Sequence, residues 1–361
     1  MFLNLVAPIN QLGYGVVGCN VLRALMDQGH TVSYFPIGKP TWDSDLPFVK
    51  VAADQAKMYN PDAPSIRIWH QNELSLFPGG GERIGWPIFE LNRFDDLERH
   101  HLTSVDRLFV CSEWAKSVLV EQGIDKDVER IDVIPLGVDT SLFNVNEAAR
   151  AKRPYWTRHK TVFLNIGKWE VRKGHNELLE AFCKAFTPED DVELWMVNDN
   201  PFIDMGNEAW KTKYISSSMG ANIKIRDRVR SHVELAELYN QVDFGVFPAH
   251  AEGWNLEPLE LMACGVPSIV TNYSGHTEFC NDTNSLLVEP NGLESAQDGV
   301  WFHGQGEWCT FEVDELAGQM REAHKRKQDN AMPYILMGEN CKETAAKFSW
   351  SNAVKKITEA L

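Results

Sequence analysis

The chain lacks the features that mark several large protein classes. Its seven cysteines, at 19, 111, 183, 264, 280, 309 and 341, are odd in number and form no CxxC pair. That pattern argues against a disulfide framework and a cysteine-based zinc site, and it fits a reducing compartment. No run of about 18 apolar residues occurs, so no transmembrane segment is expected. The opening Met1-Phe2-Leu3-Asn4-Leu5-Val6 lacks the basic-then-apolar shape of a secretory signal. A soluble, cytoplasmic protein is therefore expected. Positive charge is scarce, since 35 Lys and Arg face 51 Asp and Glu for a net charge of −16. This total argues against a protein that grips nucleic acid over its whole surface, although it leaves room for a local basic groove. Internal repeats and low-complexity stretches are absent too. Of the acidic pairs, Asp95-Asp96 precedes a helical stretch and reads as a cap, and Asp190-Asp191 reads as a turn. No metal site is expected from either.

What the chain does contain is length and alternation. With 361 residues, 43% of them hydrophobic, it can bury two cores, and two domains are the natural expectation. Apolar strands alternate with amphipathic helices, which predicts an α/β fold with parallel sheets and crossover helices. Residues 2–8 read as the first strand, 15–28 as its helix and 31–37 as the next strand after the Gly29 stop. Residues 107–111 form another, followed by a helix that Ser112 can cap. A second series begins at 161–166, with Leu178, Leu179, Phe182 and Phe186 as the apolar face of its first helix. Later strands fall at 193–198, 223–225, 244–248 and 268–271. Between the two series runs a basic stretch with Arg150, Lys152, Arg153, Arg158 and Lys160, interrupted by Tyr155 and Trp156. The glycines at 13, 15 and 18 follow the first strand, yet no acidic residue ends the second at Phe35-Pro36-Ile37, so the dinucleotide fingerprint is incomplete.

The most informative stretch runs from Glu252-Gly253-Trp254-Asn255-Leu256-Glu257-Pro258-Leu259-Glu260 into Leu261-Met262-Ala263-Cys264-Gly265. It places one carboxylate in a polar turn and a second in the first turn of a helix that Pro258 can start and Gly265 can end. A helix N-terminus offers unpaired N–H groups and a positive dipole end, which suit a diphosphate. Flanking carboxylates accept hydrogen bonds from sugar hydroxyls. The ligand suggested is a nucleotide-sugar.

Further motifs follow in order: Gly13-Tyr14-Gly15, Gly167-Lys168 through Lys173-Gly174, the strand end Phe247-Pro248, and Gly275-His276-Thr277-Glu278 before Asn284-Ser285-Leu286-Leu287-Val288. Together with the glutamate pair, these motifs resemble the retaining GT-B glycosyltransferases of family 4, the glycosyl transferases group 1. The resemblance implies two Rossmann-like domains facing across a deep cleft. It divides the chain into an acceptor-side domain at 1–155, a nucleotide-sugar-binding domain at 156–345 and a terminal helix at 346–361 that crosses back to the first domain. It casts Glu252, His70 and Lys173 as catalytic, with Glu252 holding donor hydroxyls. It assigns Gly15, Lys168, Lys173, Asn255, Leu256 and Glu260 to the donor: Lys168 and Lys173 clamp the diphosphate, Asn255 and Leu256 offer backbone N–H groups, and Glu260 takes the ribose hydroxyls. Where the family usually carries arginine, Lys168 keeps the charge and loses the bidentate fork. Glu90 competes with His70 for its place, and the loop after 225, with Arg226, Arg228 and Arg230, faces the base. Two cations at a pyrophosphate neutralise the charge that develops as the glycosidic bond breaks, so no cofactor and no metal is implied.

The activity implied is transfer of a sugar from a nucleoside-diphosphate sugar to an acceptor hydroxyl on a small molecule, lipid or glycan. One alternative acceptor is a hydroxylated DNA base, held by the basic stretch at 150–160 with its two aromatic rings. A second alternative is a nucleotide-sugar epimerase of similar fold. The acceptor is not written in the motifs; the segment 76–83, Leu76-Phe77-Pro78-Gly79-Gly80-Gly81-Glu82-Arg83, reads as a mobile acceptor loop.

Overall fold

A computed structural model describes residues 1–42, 44–128, 130–202, 206–329 and 331–361. The chain divides into two compact units, Met1–Gly137 with Phe348–Leu361, and Val138–Lys347. Each is built on one six-stranded sheet in which every pair of neighbouring strands runs parallel. This is the α/β architecture that the strand-helix alternation predicts.

The first unit contains β1 (Phe2–Ala7), α1 (Gly13–Asp27), β2 (Thr31–Pro36), α2 (Pro47–Gln55), β3 (Ser65–Ile68), β4 (Arg83–Trp86), α3 (Asp96–Thr103), β5 (Arg107–Val110), α4 (Glu113–Glu121) and β6 (Arg130–Val133). Its sheet order is β2-β1-β3-β4-β5-β6. Asp95 caps α3 in a reciprocal box with Glu98, and Ser112 caps α4, as the residue types at those positions lead one to expect. The segment 76–83 is tied down. The N–H groups of Gly80 and Gly81 both reach Pro61 O, at 2.8 and 3.1 Å, and Ser65 Oγ donates to Pro78 O at 2.8 Å. Three consecutive glycines let this backbone lie directly against residue 61, so the run that reads as a mobile loop is a docked one.

The second unit contains α5 (Glu147–Ala151), β7 (Thr161–Gly167), α6 (His175–Ala185), β8 (Val192–Asn198), α7 (Gly206–Ile215), β9 (Ile223–Ile225), α8 (His232–Tyr239), β10 (Phe244–Phe247), α9 (Leu256–Ala263), β11 (Ser268–Thr271), β12 (Ser285–Val288), β13 (Pro290–Gln297), β14 (His303–Phe311), α10 (Val313–Gln328) and α11 (Ala331–Lys347). Its sheet order is β12-β11-β10-β7-β8-β9, and β13 pairs antiparallel with β14 in a separate two-stranded ribbon. β8 is buried along its whole length, as a strand covered on both faces must be. Phe163, Phe182, Phe186 and Phe244 close the core between sheet and helices.

The unit boundary lies at Gly137, where the sequence reading puts it at 155. The physical reason is the pairing of 138–160 with the second unit. Asn146 N–H donates to Asn240 Oδ1 at 2.9 Å, and Arg153 forks onto Asp243 at 2.9 and 2.8 Å. The last helix, α12 (Trp350–Ala360), belongs with the first unit. Gln28 Nε2 donates to Ser351 O at 2.9 Å, Arg107 donates to Ala360 O, and a Cβ at Gly137 would lie 2.3 Å from Trp350 N. Among the described residues no helix is long and apolar enough to cross a membrane.

Candidate active site

Three turns at the carboxyl ends of β7, β10 and β11, which are neighbours in the second sheet, carry the glutamate and lysine motifs. Such ends are where open parallel sheets bind ligands. The first turn leaves β7 at Gly167, makes a 3-10 turn at Val171–Lys173 and enters α6 through Gly174. Gly174 has φ +69°, and a Cβ there would sit 2.0 Å from Pro248 O. Only glycine permits that left-handed turn against the second loop, and it is what delivers Lys173 to the site. The second turn, 248–255, ends at Asn255, whose φ of 74° starts α9 at Leu256. Glu260 therefore stands in the second turn of the helix, one turn later than expected. The third turn, Ser274–Glu278, lies beneath: Ser274 Oγ accepts from Glu252 N–H at 2.8 Å, and Gly275 N–H donates to Glu252 O at 2.9 Å.

At the centre is a buried charge network. Glu252 Oε2 is 2.9 Å from Arg172 NH1, and Glu252 Oε1 is 2.6 Å from Lys173 Nζ. Arg172 also reaches Glu170 Oε2 at 3.0 Å and donates to Ala251 O at 2.6 Å, while Lys168 Nζ closes the chain on Glu170 Oε1 at 2.5 Å. Two carboxylates and three cations alternate. Burial pushes the Glu252 carboxyl up, but Arg172 and Lys173, with His276 behind them, hold it at about 2. The same contest keeps Glu170 below the ordinary carboxylate range. Burial opposes the charge on Lys173, and Glu252 and Glu257 more than restore it. Glu252, Glu170 and Lys173 thus stay ionised at neutral pH.

His276, next to this network, is neutral, because burial lowers it to about 4. Its Nδ1 donates to Thr271 O at 3.0 Å, so Nε2 is the acceptor that receives Asn255 Nδ2 at 2.9 Å. That bond fixes the strained Asn255 backbone ahead of α9. No side chain caps the helix, and Asn255 Oδ1 is buried without a partner among the described residues. Leu256 opens the helix, so its N–H belongs to the free end that suits an anion. Glu260 is buried and accepts from Tyr239 OH at 3.0 Å. Burial and the nearby Glu257 charge hold its carboxyl well above the usual range.

Other expected residues have different surroundings. Gly15 is buried in α1, where a Cβ would lie 2.3 Å from Asn10 N; the glycine lets the turn at 8–12 fold onto its own helix. His70 is exposed just past β3, with its ring 4.6 Å from Tyr14 and 4.8 Å from Trp69. Glu90 is half-buried and its charge reaches Tyr14, whose hydroxyl donates to Ile88 O at 2.7 Å. The cations of 150–160 are largely paired within their own unit: Arg150 with Glu147, Lys152 with Glu237, Arg153 with Asp243 and Lys160 with Glu193. Tyr155 and Trp156 remain exposed. Arg226 stacks over Trp195 at 4.5 Å and helps line a hollow of about 230 Å³ with Asp227, Val229 and Glu234.

Arg172 and Glu170 were not anticipated. Their signal lies in the sequence as charged residues on either side of Val171 in a strand-to-helix turn, yet spacing alone does not tell a buried arginine from a solvated one. His250, also buried, was likewise missed.

Residues 160–300, within the second unit, match the family model described as Glycosyl transferases group 1. D-inositol 3-phosphate glycosyltransferase of Corynebacterium kroppenstedtii is 26% identical over 271 residues, covering 73% of this chain and 54% of that protein. The corresponding protein of Corynebacterium jeikeium is 26% identical over 73% of this chain and 59% of its own length. The chain thus spans about half the length of the curated relatives it matches. Among solved structures, sucrose-phosphate synthase from Thermosynechococcus elongatus superposes with a TM-score of 0.74 at 17% identity, over 99% of this chain and 98% of that one. Anabaena HepE in complex with UDP-glucose gives 0.72 at 14% identity, over 100% and 99%. The fold is that of the GT-B glycosyltransferases.

Proposed function

We propose that the chain is a metal-independent, retaining glycosyltransferase that moves a sugar from a nucleoside-diphosphate sugar to an acceptor hydroxyl. One observation carries this reading: Glu252 is a buried, ionised carboxylate held between Arg172 and Lys173, beside the uncapped N-terminus of α9. The Glycosyl transferases group 1 match over the same residues and the UDP-glucose complex of a protein of this fold support it. Lys173, Arg172 and Lys168 supply positive charge for a diphosphate, and the free N–H groups of α9 add to it. Glu252 accepts hydrogen bonds from the donor sugar, and Glu260 faces the ribose.

The bond between the anomeric carbon and the β-phosphate oxygen breaks, and the bond to the acceptor oxygen forms on the same face. The acceptor proton passes to the departing phosphate oxygen, so no protein nucleophile is needed. His70 would serve the acceptor hydroxyl from the first unit. A thermal-shift panel of UDP-, GDP- and ADP-sugars tests donor binding. Activity that persists in excess chelator and a product with the donor's anomeric configuration by NMR are expected; an inverted anomer, or activity restored only by a divalent ion, would contradict the reading. Product formation only when acceptor is added separates transfer from epimerisation.

For the acceptor, a small molecule, lipid or glycan is proposed. Exposed Tyr155 and Trp156 are the feature that favours a hydroxylated DNA base, while the ion pairs of Arg153, Lys152 and Lys160 remove cations that DNA would use. Incubation with modified DNA and donor, followed by nucleoside mass spectrometry, decides between them by a sugar-sized mass gain.

A further inference from the structure

The ribbon of β13 and β14 is docked on the loop that carries Glu252, and its second strand lies past the residues the family model matches. His250 joins the two by hydrogen bonds. Cys309 N–H donates to His250 O at 3.1 Å, and the imidazole Nδ1 donates back to Cys309 O at 2.8 Å. The ring stacks on Trp308 with centroids 6.2 Å apart and packs 5.3 Å from Phe311. Its far side faces α6: Nε2 is 3.6 Å from Glu177 Oε2, and Glu294 of β13 stands 3.8 Å from Nδ1. The residue is buried. On the site side, His250 N–H donates to Arg172 O at 2.8 Å, and Arg172 in turn binds Ala251 O and Glu252.

The loop 248–255 has no regular structure of its own, so ties of this kind decide where Glu252 points. The turn after β11 holds the Glu252 backbone from below, and the His250 latch holds the preceding residues to the ribbon and to Arg172. We propose that His250 is a positioning residue for sugar transfer: it latches the β13–β14 ribbon to the 248–255 loop and so sets Glu252 against Arg172 and Lys173. This rests on the reading of Glu252 as the donor-sugar contact. Loss of the imidazole leaves Cys309 O buried without its donor and frees the loop to shift. A shift of about 1 Å at a contact made to a reacting sugar lowers turnover by as much as about 100-fold.

The test compares His250→Ala, His250→Gln and His250→Asn with Glu252→Gln as reference. The asparagine amide falls near the position of Nδ1 and can still donate to Cys309 O; glutamine is too long to do so in place. Activity is read as UDP release from UDP-glucose, or as nucleoside-diphosphate release from whichever donor in the panel stabilises the wild type most. His250→Ala should lose about 10- to 100-fold in kcat with the donor KM changed less than about 3-fold, and His250→Asn should recover most of the loss. Hydrogen exchange at 249–255 should rise in the alanine variant and return in the asparagine one. If the alanine variant does not fold, the same contrast is read between glutamine and asparagine. Full turnover in both His250→Ala and His250→Gln, or equal loss in asparagine and glutamine, overturns the proposal while an impaired Glu252→Gln leaves the parent reading standing. Wild-type turnover in Glu252→Gln, or no donor in the panel bound, overturns the parent reading and this proposal with it.

Discussion

Replacing Arg172 with methionine should destabilise the second unit more than any change on its surface. The side chain is buried and touches Glu252 at 2.9 Å, Glu170 at 3.0 Å and Ala251 O at 2.6 Å. Methionine keeps much of the volume, so the perturbation is the missing charge and its hydrogen bonds rather than a cavity. Breaking a buried ion pair by removing one partner costs about 3–5 kcal/mol, because the other charge is left uncompensated. Lys173 and Lys168 still neutralise one carboxylate each, which places the expected loss near the lower end, at about 3 kcal/mol. For a unit of this size each kcal/mol lowers Tm by roughly 2–4 °C, so calorimetry should show a fall of roughly 6–12 °C.

The pH dependence follows from Glu252. Its folded pKa, about 2, lies below the unfolded value, so its contribution is fully present above the unfolded pKa and is lost as pH falls toward about 2. In Arg172→Met that depression shrinks, and the gap between variant and wild type should narrow as the pH is lowered through the carboxylate range. The double variant Arg172→Met/Glu252→Gln should regain part of the loss, since the stranded charge is gone. A single variant within about 1 kcal/mol of wild type, or a double variant that is simply additive, would refute the view that the network is a set of mutually compensating buried ions.

Lys173→Ala should lower turnover by at least about two orders of magnitude, roughly 3 kcal/mol at the developing anion, and it should lower stability as well because Glu252 loses its nearer cation; normal turnover with unchanged nucleoside-diphosphate affinity would remove Lys173 from the site. Glu260→Gln keeps an acceptor for Tyr239 and removes a carboxyl whose folded pKa is raised, so its stabilising contribution is present below the unfolded pKa and lost as pH rises through the folded one. Urea unfolding should find this variant about equal to wild type near pH 5 and more stable near pH 9, with weaker donor binding by titration calorimetry; lower stability at pH 9 would count against it. Gly174→Ala forces a Cβ to within 2.0 Å of Pro248 O at a positive φ, and should cost about 2–4 kcal/mol in chemical denaturation while displacing Lys173; a neutral substitution would show that the turn can relax.

The amino-acid sequence alone determined the α/β class and many of the strands and helices, though not the antiparallel β13–β14 ribbon. Runs such as 161–166 and 268–271 are apolar and bounded by turns, so they read as buried parallel strands, and Gly29 and Ser112 mark a helix end and a helix start through local backbone chemistry. It also singled out the two glutamates and Lys173, because they are recognised by their order along the chain. Tertiary structure decided which charges are buried and with whom. Arg172 and Arg153 are both cations flanking helical turns in the sequence, yet one closes the Glu252 network and the other is bound to Asp243 far along the chain. The glycines of 79–81 carry no signal of whether they swing free or dock on Pro61, since glycine permits both. The latch at His250 depends on a ribbon about sixty residues downstream, and pairings at that separation are fixed by packing, not by any local pattern a sequence can display.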